Sequence, residues 1–172
     1  MISFYLNDEL IVYSGENDIS LIKFLRNERD ITSVKDGCSG QGVCGACTVE
    51  INGKPRLACQ VSLNKLNGAS IYTLDGFPEN IKETLAKSFV KEGAVQCGFC
   101  TPGFIVRAKI LLQSNPNPTI DEVRKAIKPN LCRCTGYKKI ENAIKNASIA
   151  LAENKDIEYP KDAGKVGTSY PK

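Results

Sequence analysis

The chain has 172 residues, of which 42% are hydrophobic and 24% are charged, so it is long and apolar enough to bury a core without disulfides. Its formal net charge of +4 is mild, and the lysines are spread along the chain, which argues against a nucleic-acid partner. It contains no histidine, which excludes Cys₂His₂ zinc fingers, histidine-ligated zinc hydrolases, Rieske centres and Ser-His-Asp triads.

No targeting or membrane-spanning segment is visible in the sequence. Asp8 and Glu9 occupy positions where a signal peptide would carry its apolar run. No apolar stretch approaches the roughly 18–20 residues that a membrane-spanning helix needs. We therefore expect a cytoplasmic protein without a membrane partner. Because thiols are kept reduced in that compartment, clustered cysteines indicate metal or redox chemistry rather than disulfides.

The first half of the chain predicts strands around one helix. The stretch "MISFYLNDELIVY" contains two short apolar runs joined by an Asn-Asp turn at positions 7–8, which predicts a hairpin. The apolar residues of "DISLIKFLRNE" fall on one helical face, with Asp18 or Ser20 as the expected cap. A second hairpin in "TVEINGKPRLAC" turns at the Asn-Gly pair at positions 52–53, and "ASIYTL" adds another strand. We expect a small α+β domain over residues 1–75.

The second half of the chain predicts helices with short links. The first helix lies in "PENIKETLAKSFVKEG" and is expected to stop at Gly93. The second, "TPGFIVRAKILLQS", has Thr101 as its expected cap and Pro102 at the first helical position. The third, "TIDEVRKAI", begins with a capping box at Thr119, and the last spans "GYKKIENAIKNASIALAEN". Four helices with short links predict an all-α four-helix bundle over residues 76–154.

The first cysteine set lies mostly on a glycine-rich loop. Its members are spaced C-x₅-C-x₂-C-x₁₁-C and are Cys38, Cys44, Cys47 and Cys59. This resembles the C-x₄-C-x₂-C run and distant fourth cysteine of plant-type [2Fe-2S] ferredoxins. Such a loop must curl tightly so that backbone N–H groups reach the sulfur atoms, and a Cβ atom would obstruct both the curl and the approach. The glycines that would allow this are Gly37, Gly40, Gly42 and Gly45.

The second cysteine set is split between two helix starts. Its members are Cys97, Cys100, Cys132 and Cys134, spaced C-x₂-C, then 31 residues, then C-x-C. The N–H groups and the positive dipole end of a helix start favour thiolates and an anionic cluster. A Cys₄ zinc site remains an alternative, although it expects C-x₂₋₄-C pairs and the second pair fits poorly. A thioredoxin-like motif would need a βαβ context, which the sequence around Cys97 lacks.

Three motifs carry a resemblance to a known family. The stretches "GQGVCGACTVEINGK", "QCGFCTPGFI" and "NLCRCTGYKKIENAI" resemble the iron–sulfur subunit, or N-terminal iron–sulfur segment, of molybdenum hydroxylases. That group includes xanthine dehydrogenase, aldehyde oxidoreductase and carbon monoxide dehydrogenase. The resemblance covers residues 2–152 in the right order. It implies a β-grasp plant-type ferredoxin domain followed by a four-helix bundle, each with one [2Fe-2S] cluster.

The resemblance also assigns roles to individual residues. It implies that the first set, Cys38, Cys44, Cys47 and Cys59, holds the ferredoxin-type cluster. It implies that the second set, Cys97, Cys100, Cys132 and Cys134, holds the bundle cluster nearer to molybdenum. Gln96 matches the family position that touches the pterin of the molybdopterin cofactor, and Cys134 lies near the same pterin. The implied partners are a molybdopterin-binding large subunit or domain and, as the next acceptor, an FAD-binding subunit or an external carrier. No residue is expected to carry out substrate chemistry.

Two features depart from the family pattern or extend beyond its motifs. The family's first loop is usually C-x₄-C, and here Ser39 or a neighbour is extra, so we expect altered N–H···S bonds and an altered potential at this cluster. Residues 155–172 are expected to form a tail or linker, because "DAGKVGTSYPK" is similar to the connector that leads into the molybdenum domain of fused members.

Two other functions remain as alternatives to an electron-transfer subunit of a molybdenum hydroxylase. They are a zinc-stabilised Cys₄ interaction module and a stand-alone ferredoxin carrier.

Overall fold

The computed structural model describes residues 1–15 and 18–158. Most of the predicted tail, including the connector-like stretch at 162–172, lies outside the described residues. In chain order the strands and helices are β1 (Ile2–Leu6), β2 (Glu9–Tyr13), α1 (Leu21–Lys23), β3 (Thr48–Ile51), β4 (Lys54–Leu57), β5 (Ser70–Tyr72), α2 (Glu79–Lys91), α3 (Thr101–Ser114), α4 (Ile120–Ile127) and α5 (Lys138–Ala152). The molecule is therefore α+β.

One mixed sheet forms the first half of the described chain. Its strand order is β2-β1-β5-β3-β4, with β1 and β5 parallel and the other neighbours antiparallel. Both predicted hairpins are confirmed. Asn7 and Asp8 have φ values of 50° and 70°, and Asn52 and Gly53 have values of 50° and 74°. Positive φ at both central residues is the mark of the type I′ turn, whose twist matches that of the flanking strands.

The helix of the first half is shorter and less regular than predicted. Only Leu21–Lys23 is α-helical, and a π-helical turn continues it over Phe24–Glu28. Ser20 stands at the predicted cap position, although its side chain makes no capping hydrogen bond. The side chains of Leu21, Phe24 and Leu25 are buried against the sheet and form the centre of the first core.

The helices of the second half enclose a core of their own. Leu85, Phe89, Phe104, Ile140 and Ile144 lie at its centre, each fully buried. Within the described ranges, no helix is both long enough and apolar enough to cross a membrane.

The predicted helix ends are partly confirmed. Gly93 ends its helix with a φ of 63°, and the capping box at Thr119 is present in full. The helix after the C-x₂-C motif begins one residue earlier than predicted, because Cys100 takes the cap position and Thr101 is already helical. The last helix begins only at Lys138, since Tyr137, just before it, has a φ of 68°.

The two halves pack against each other through β3 and α3. Lys109 on α3 donates to the Glu50 carboxylate on β3 across 2.6 Å, and both side chains are almost completely buried. The Lys109 ammonium also lies over the rings of Phe77 and Tyr72, with its nitrogen 4.8 Å and 5.7 Å from the two centroids. Because β3 starts directly after Cys47 and α3 starts directly after Cys100, this contact fixes the two cysteine sets relative to each other.

Candidate metal centres

The first cysteine set is brought together by a loop and a strand pair. Cys47 stands directly before β3, and Cys59 follows β4 in a 3₁₀ turn, so the pairing of β3 with β4 places them side by side. The thiols of Cys47 and Cys59 are within hydrogen-bonding reach of each other, and so are those of Cys38 and Cys44. The four side chains therefore form two close pairs at one place.

The backbone of this loop turns its N–H groups toward sulfur. The amides of Val43, Cys44 and Gly42 donate toward the Cys38 sulfur, and that of Ala46 donates toward the Cys44 sulfur. The curl that allows this needs left-handed residues at several points, including Gly42 with a φ of 73°. The amides are thus placed to stabilise an anionic cluster, which is the role that the glycines predict.

Gly45 is required for a further reason. Its φ is 73°, and a Cβ atom built on it would lie 2.6 Å from the Pro129 carbonyl oxygen and 2.8 Å from the Asn130 Cα atom. Those two residues belong to the segment that leads into Cys132 of the second set. The glycine therefore lets the first loop touch the backbone of the second half directly.

The thiols of the first set differ sharply in acidity. Hydrogen bonds from the backbone N–H groups of Val43 and Cys44 lower the pKa of Cys38 to about 7. Burial raises the pKa of Cys47 to about 12, and burial also raises the pKa of Cys44. The lowered pKa leaves the Cys38 thiol substantially ionised near neutral pH, and the thiolate is the form in which cysteine binds metal.

The second cysteine set lies where two loops meet at the end of the helices. Cys97 and Cys100 precede and cap α3, while Cys132 and Cys134 lie in the loop before α5. The sulfur atoms of Cys97 and Cys134 are 3.7 Å apart. The side chains of Cys100 and Cys132 also hydrogen-bond, so this set again forms two close pairs.

Local contacts set the acidity of the second set. Burial raises the pKa of Cys100 to about 12. Burial would also raise the pKa of Cys132, but the Thr135 hydroxyl at 3.1 Å and its N–H at 3.5 Å outweigh that effect and leave the pKa below its ordinary value. The hydrogen bond to Cys97 raises the pKa of Cys134.

The sequence-predicted Gln96 lies beside this set and is exposed. Its side-chain nitrogen donates to the Cys134 carbonyl oxygen across 3.1 Å. The residue therefore joins the C-x₂-C turn to the C-x-C loop, a role that its position before Cys97 did not reveal.

The pairwise arrangement of the thiols bears on which metal group fits. A Cys₄ zinc site gathers four sulfur atoms around one ion at about 2.3 Å. In a [2Fe-2S] cluster two irons share the four cysteines. Within residues 1–15 and 18–158, no three His, Cys, Asp or Glu side chains converge on the position of a single ion. Two thiol pairs in each set, with amides directed at sulfur in the first, fit a two-iron cluster.

The two cysteine sets are linked by backbone. The N–H of Leu131 donates to the carbonyl oxygen of Cys44 across 2.8 Å, and Leu131 is covalently joined to Cys132. Beside this link, the buried Asn130 side chain donates to the Gly45 carbonyl oxygen across 2.9 Å. A cysteine of the first set and a cysteine of the second set are thus connected through one hydrogen bond and a few covalent bonds.

Three contributors to these sites were missed by the sequence analysis. Asn130 joins the halves, and the Tyr137 hydroxyl accepts from the Cys132 N–H at 3.0 Å while donating to the Asn130 carbonyl oxygen at 3.2 Å. Gln60 donates to the first loop from the turn that carries Cys59. In the sequence these residues are distinguished only by lying close to a cysteine. Asn130 and Gln60 act through contacts with distant residues, and Tyr137 departs from the helix pattern in which it lies. The Tyr137 ring also packs edge-on against Phe104, with the ring centroids 6.3 Å apart.

A shallow cavity of about 270 Å³ lies between the two sets. Cys44 lines it on one side and Cys97, Cys100 and Cys134 on the other. Two large apolar side chains in its lining, Phe99 and Leu131, are 45% and 56% exposed. Both candidate sites therefore open toward one apolar region of the surface.

Comparison with known proteins agrees with this geometry. Residues 11–90 match the family described as a 2Fe-2S iron-sulfur cluster binding domain, and residues 73–145 match the family described as a [2Fe-2S] binding domain. The fold and the sites thus define a [2Fe-2S] iron–sulfur protein.

Individual relatives narrow this class. The chain is 46% identical to the nicotinate dehydrogenase small FeS subunit of Eubacterium barkeri, over 85% of this chain and 93% of that one. It is 42% identical to the aldehyde oxidoreductase of Megalodesulfovibrio gigas, over 86% of this chain but only 17% of that one. The solved quinoline 2-oxidoreductase from Pseudomonas putida 86 contains a chain 39% identical to this one, with a TM-score of 0.80, over 90% of this chain and 97% of that one.

The chain therefore belongs to the family of iron–sulfur small subunits and N-terminal iron–sulfur domains of the molybdenum hydroxylases, and it is an electron-transfer component of an oxidoreductase. It spans 93% of the nicotinate dehydrogenase small subunit and 97% of the quinoline 2-oxidoreductase chain, but only 17% of the aldehyde oxidoreductase of Megalodesulfovibrio gigas.

Proposed function

We propose that this chain holds two [2Fe-2S] clusters and links a molybdopterin site on a large partner chain or domain to FAD or an external acceptor. The first cluster would be held by Cys38, Cys44, Cys47 and Cys59. The second cluster would be held by Cys97, Cys100, Cys132 and Cys134. When bound, the clusters would supply one-electron carriers; all binding and oxidation of the organic substrate would belong to the partner.

Two separate hydrophobic cores support two domains in this chain. Residues 1–75 would form a β-grasp ferredoxin domain, which is supported by the mixed sheet with parallel β1 and β5 and the helix packed on it. Residues 76–154 would form a four-helix bundle domain, supported by the separate core that α2 to α5 enclose. Residues 155–172 would be a tail or linker toward the molybdenum domain.

The hydrogen bond from Leu131 to Cys44 is the observation that carries the electron-transfer role. Electron tunnelling falls steeply with distance and is faster through bonds than through gaps. The 2.8 Å contact closes a bonded route between a ligand of each set. Asn130 holds that route in place, since its amide donates to Gly45 and its side-chain oxygen accepts from Arg107. A protein whose metal sites only stabilised the fold of each half would not need a bonded route between the two sites.

The second set is proposed as the end that faces molybdenum. Cys97 and Cys134 are exposed, whereas every cysteine of the first set is at least partly buried. Gln96 lies at the same surface and would contact the pterin, as would the region around Cys134. The apolar rim of Phe99 and Leu131 offers a surface for the large chain to cover.

Co-expression with a molybdopterin-binding large chain tests the partner. The large chain should co-purify with this one, and Leu131→Glu should abolish co-purification because it places a charge in the apolar rim. The matched control is Leu10→Glu, since Leu10 on the distant hairpin is 55% exposed and Leu131 is 56% exposed. Both variants should keep their iron. If no large chain co-purifies with the wild type, or if the two variants behave alike, the proposed docking surface is wrong.

A further inference from the structure

The extra residue of the first loop occupies an unusual backbone conformation. Ser39 has a φ of 52° and Gly40 a φ of 82°, so two consecutive residues at the exposed end of the loop are left-handed. Serine rarely adopts this conformation, and surrounding contacts must hold it. The N–H of Gly40 donates to Asp36 Oδ1 at 3.3 Å, and the N–H of Gln41 donates to the Cys38 carbonyl oxygen at 3.1 Å.

The strongest contact on this segment comes from outside the loop. The side-chain nitrogen of Gln60 donates to the Gly40 carbonyl oxygen across 2.7 Å. Gln60 belongs to the 3₁₀ turn Ala58–Gln60, which also carries the fourth cysteine of the set. The glutamine therefore joins the end of the loop that holds Cys38 to the element that holds Cys59.

The same nitrogen also reaches sulfur. It lies 3.6 Å from Cys59 Sγ, within the range of a hydrogen bond to sulfur. A primary amide has two N–H donors, so one can serve the Gly40 carbonyl while the other is directed at the thiolate.

The loop sequence leaves room for this side chain. A Cβ atom built on Gly42 would lie 2.7 Å from Gln60 Cδ and 2.9 Å from Gln60 Nε2. Gly42 also has a φ of 73°. A side chain at position 42 would displace the Gln60 amide from both the Gly40 carbonyl oxygen and Cys59 Sγ. The absence of a side chain at Gly42 therefore allows both contacts.

We propose that Gln60 is a positioning residue that closes the enlarged loop over the first cluster and raises the cluster's reduction potential through its N–H···S contact with Cys59. Reduction adds negative charge that is shared by the ligand sulfur atoms. A donor at sulfur stabilises that charge, and hydrogen bonds to sulfur are among the factors that set iron–sulfur potentials. The inference rests on the proposed cluster at this site.

An EPR-monitored redox titration of the chain with both clusters loaded tests the inference. Gln60→Leu keeps the bulk of the side chain and removes the donor, so the midpoint potential of the first cluster should fall while that of the second stays unchanged. Gln60→Glu replaces the donor with a negative charge at the same size and should lower the first midpoint further. The two signals are assigned by comparison with the Cys38→Ala variant, which lacks the first.

The matched control is Gln41→Leu, an exposed glutamine of the same loop that takes part through its backbone N–H. Its first-cluster midpoint should equal that of the wild type. The inference is overturned if Gln60→Leu leaves the first midpoint unchanged, if both clusters shift together, or if Gln41→Leu has the same effect. Absence of the first cluster from the wild-type chain would instead overturn the proposed function, so the two failures are distinguishable.

Discussion

Replacing Cys38 with alanine should reduce the iron content from about four to about two atoms per chain, because each Cys₄ cluster carries two irons. Cys38 is a suitable target because it is only partly buried, so its loss should disturb packing little. The reciprocal variant, Cys97→Ala, removes an exposed ligand of the second set and should give the same iron content. The two variants differ in which cluster survives.

Each cysteine variant serves as the control of the other. EPR spectra of the reduced proteins should show one signal each, and the two signals should sum to the spectrum of the wild type. Circular dichroism should show that both variants retain the fold, because each half has its own core. Loss of all iron from either variant with the fold intact would contradict two independent clusters.

Glu50→Gln is expected to cause the largest loss of stability among the changes considered outside the clusters. The Glu50 side chain is 6% exposed and that of its partner Lys109 is 11% exposed, so the ammonium would remain in the interface without its carboxylate. Breaking a buried pair in this way costs about 3–5 kcal/mol. For a chain of this size that corresponds to a fall of roughly 10 °C in the apparent Tm.

The pair lends itself to a double-mutant cycle with a matched control. Lys109→Met should cost a similar amount, and the double variant should be more stable than the sum of the single losses predicts, because neither charge is then left alone. The control is Glu79→Gln, which breaks the exposed 2.8 Å pair with Lys82 and should change the apparent Tm little. An equal effect of Glu50→Gln and Glu79→Gln would show that the interface does not depend on the buried pair.

Short sequence motifs correctly predicted those features of the fold that depend only on neighbouring residues, such as turns and helix caps. The two hairpins were predictable because their turn dipeptides tolerate positive φ, and the capping box at Thr119 because its partners are three residues apart. Both cysteine sets were recognisable because ligand spacing is a property of the chain itself. The glycines of the first loop also predicted amides directed at sulfur, which the structure contains.

Contacts between distant segments could not be predicted in this way. The hydrogen bond from Leu131 to Cys44 and the buried pair of Glu50 with Lys109 depend on how the two cores pack, and no local pattern encodes that packing. The start of α5 was misplaced for a related reason: the left-handed Tyr137 is held by hydroxyl contacts with Cys132 and Asn130 rather than by helix propensity.

The most direct test of the two-cluster account is metal, sulfide and EPR analysis of the chain purified without oxygen. The account predicts about four irons and about four acid-labile sulfides per chain, visible absorbance, and two distinct EPR signals after reduction. Stoichiometric zinc without sulfide or visible absorbance would contradict it and favour a zinc-stabilised module.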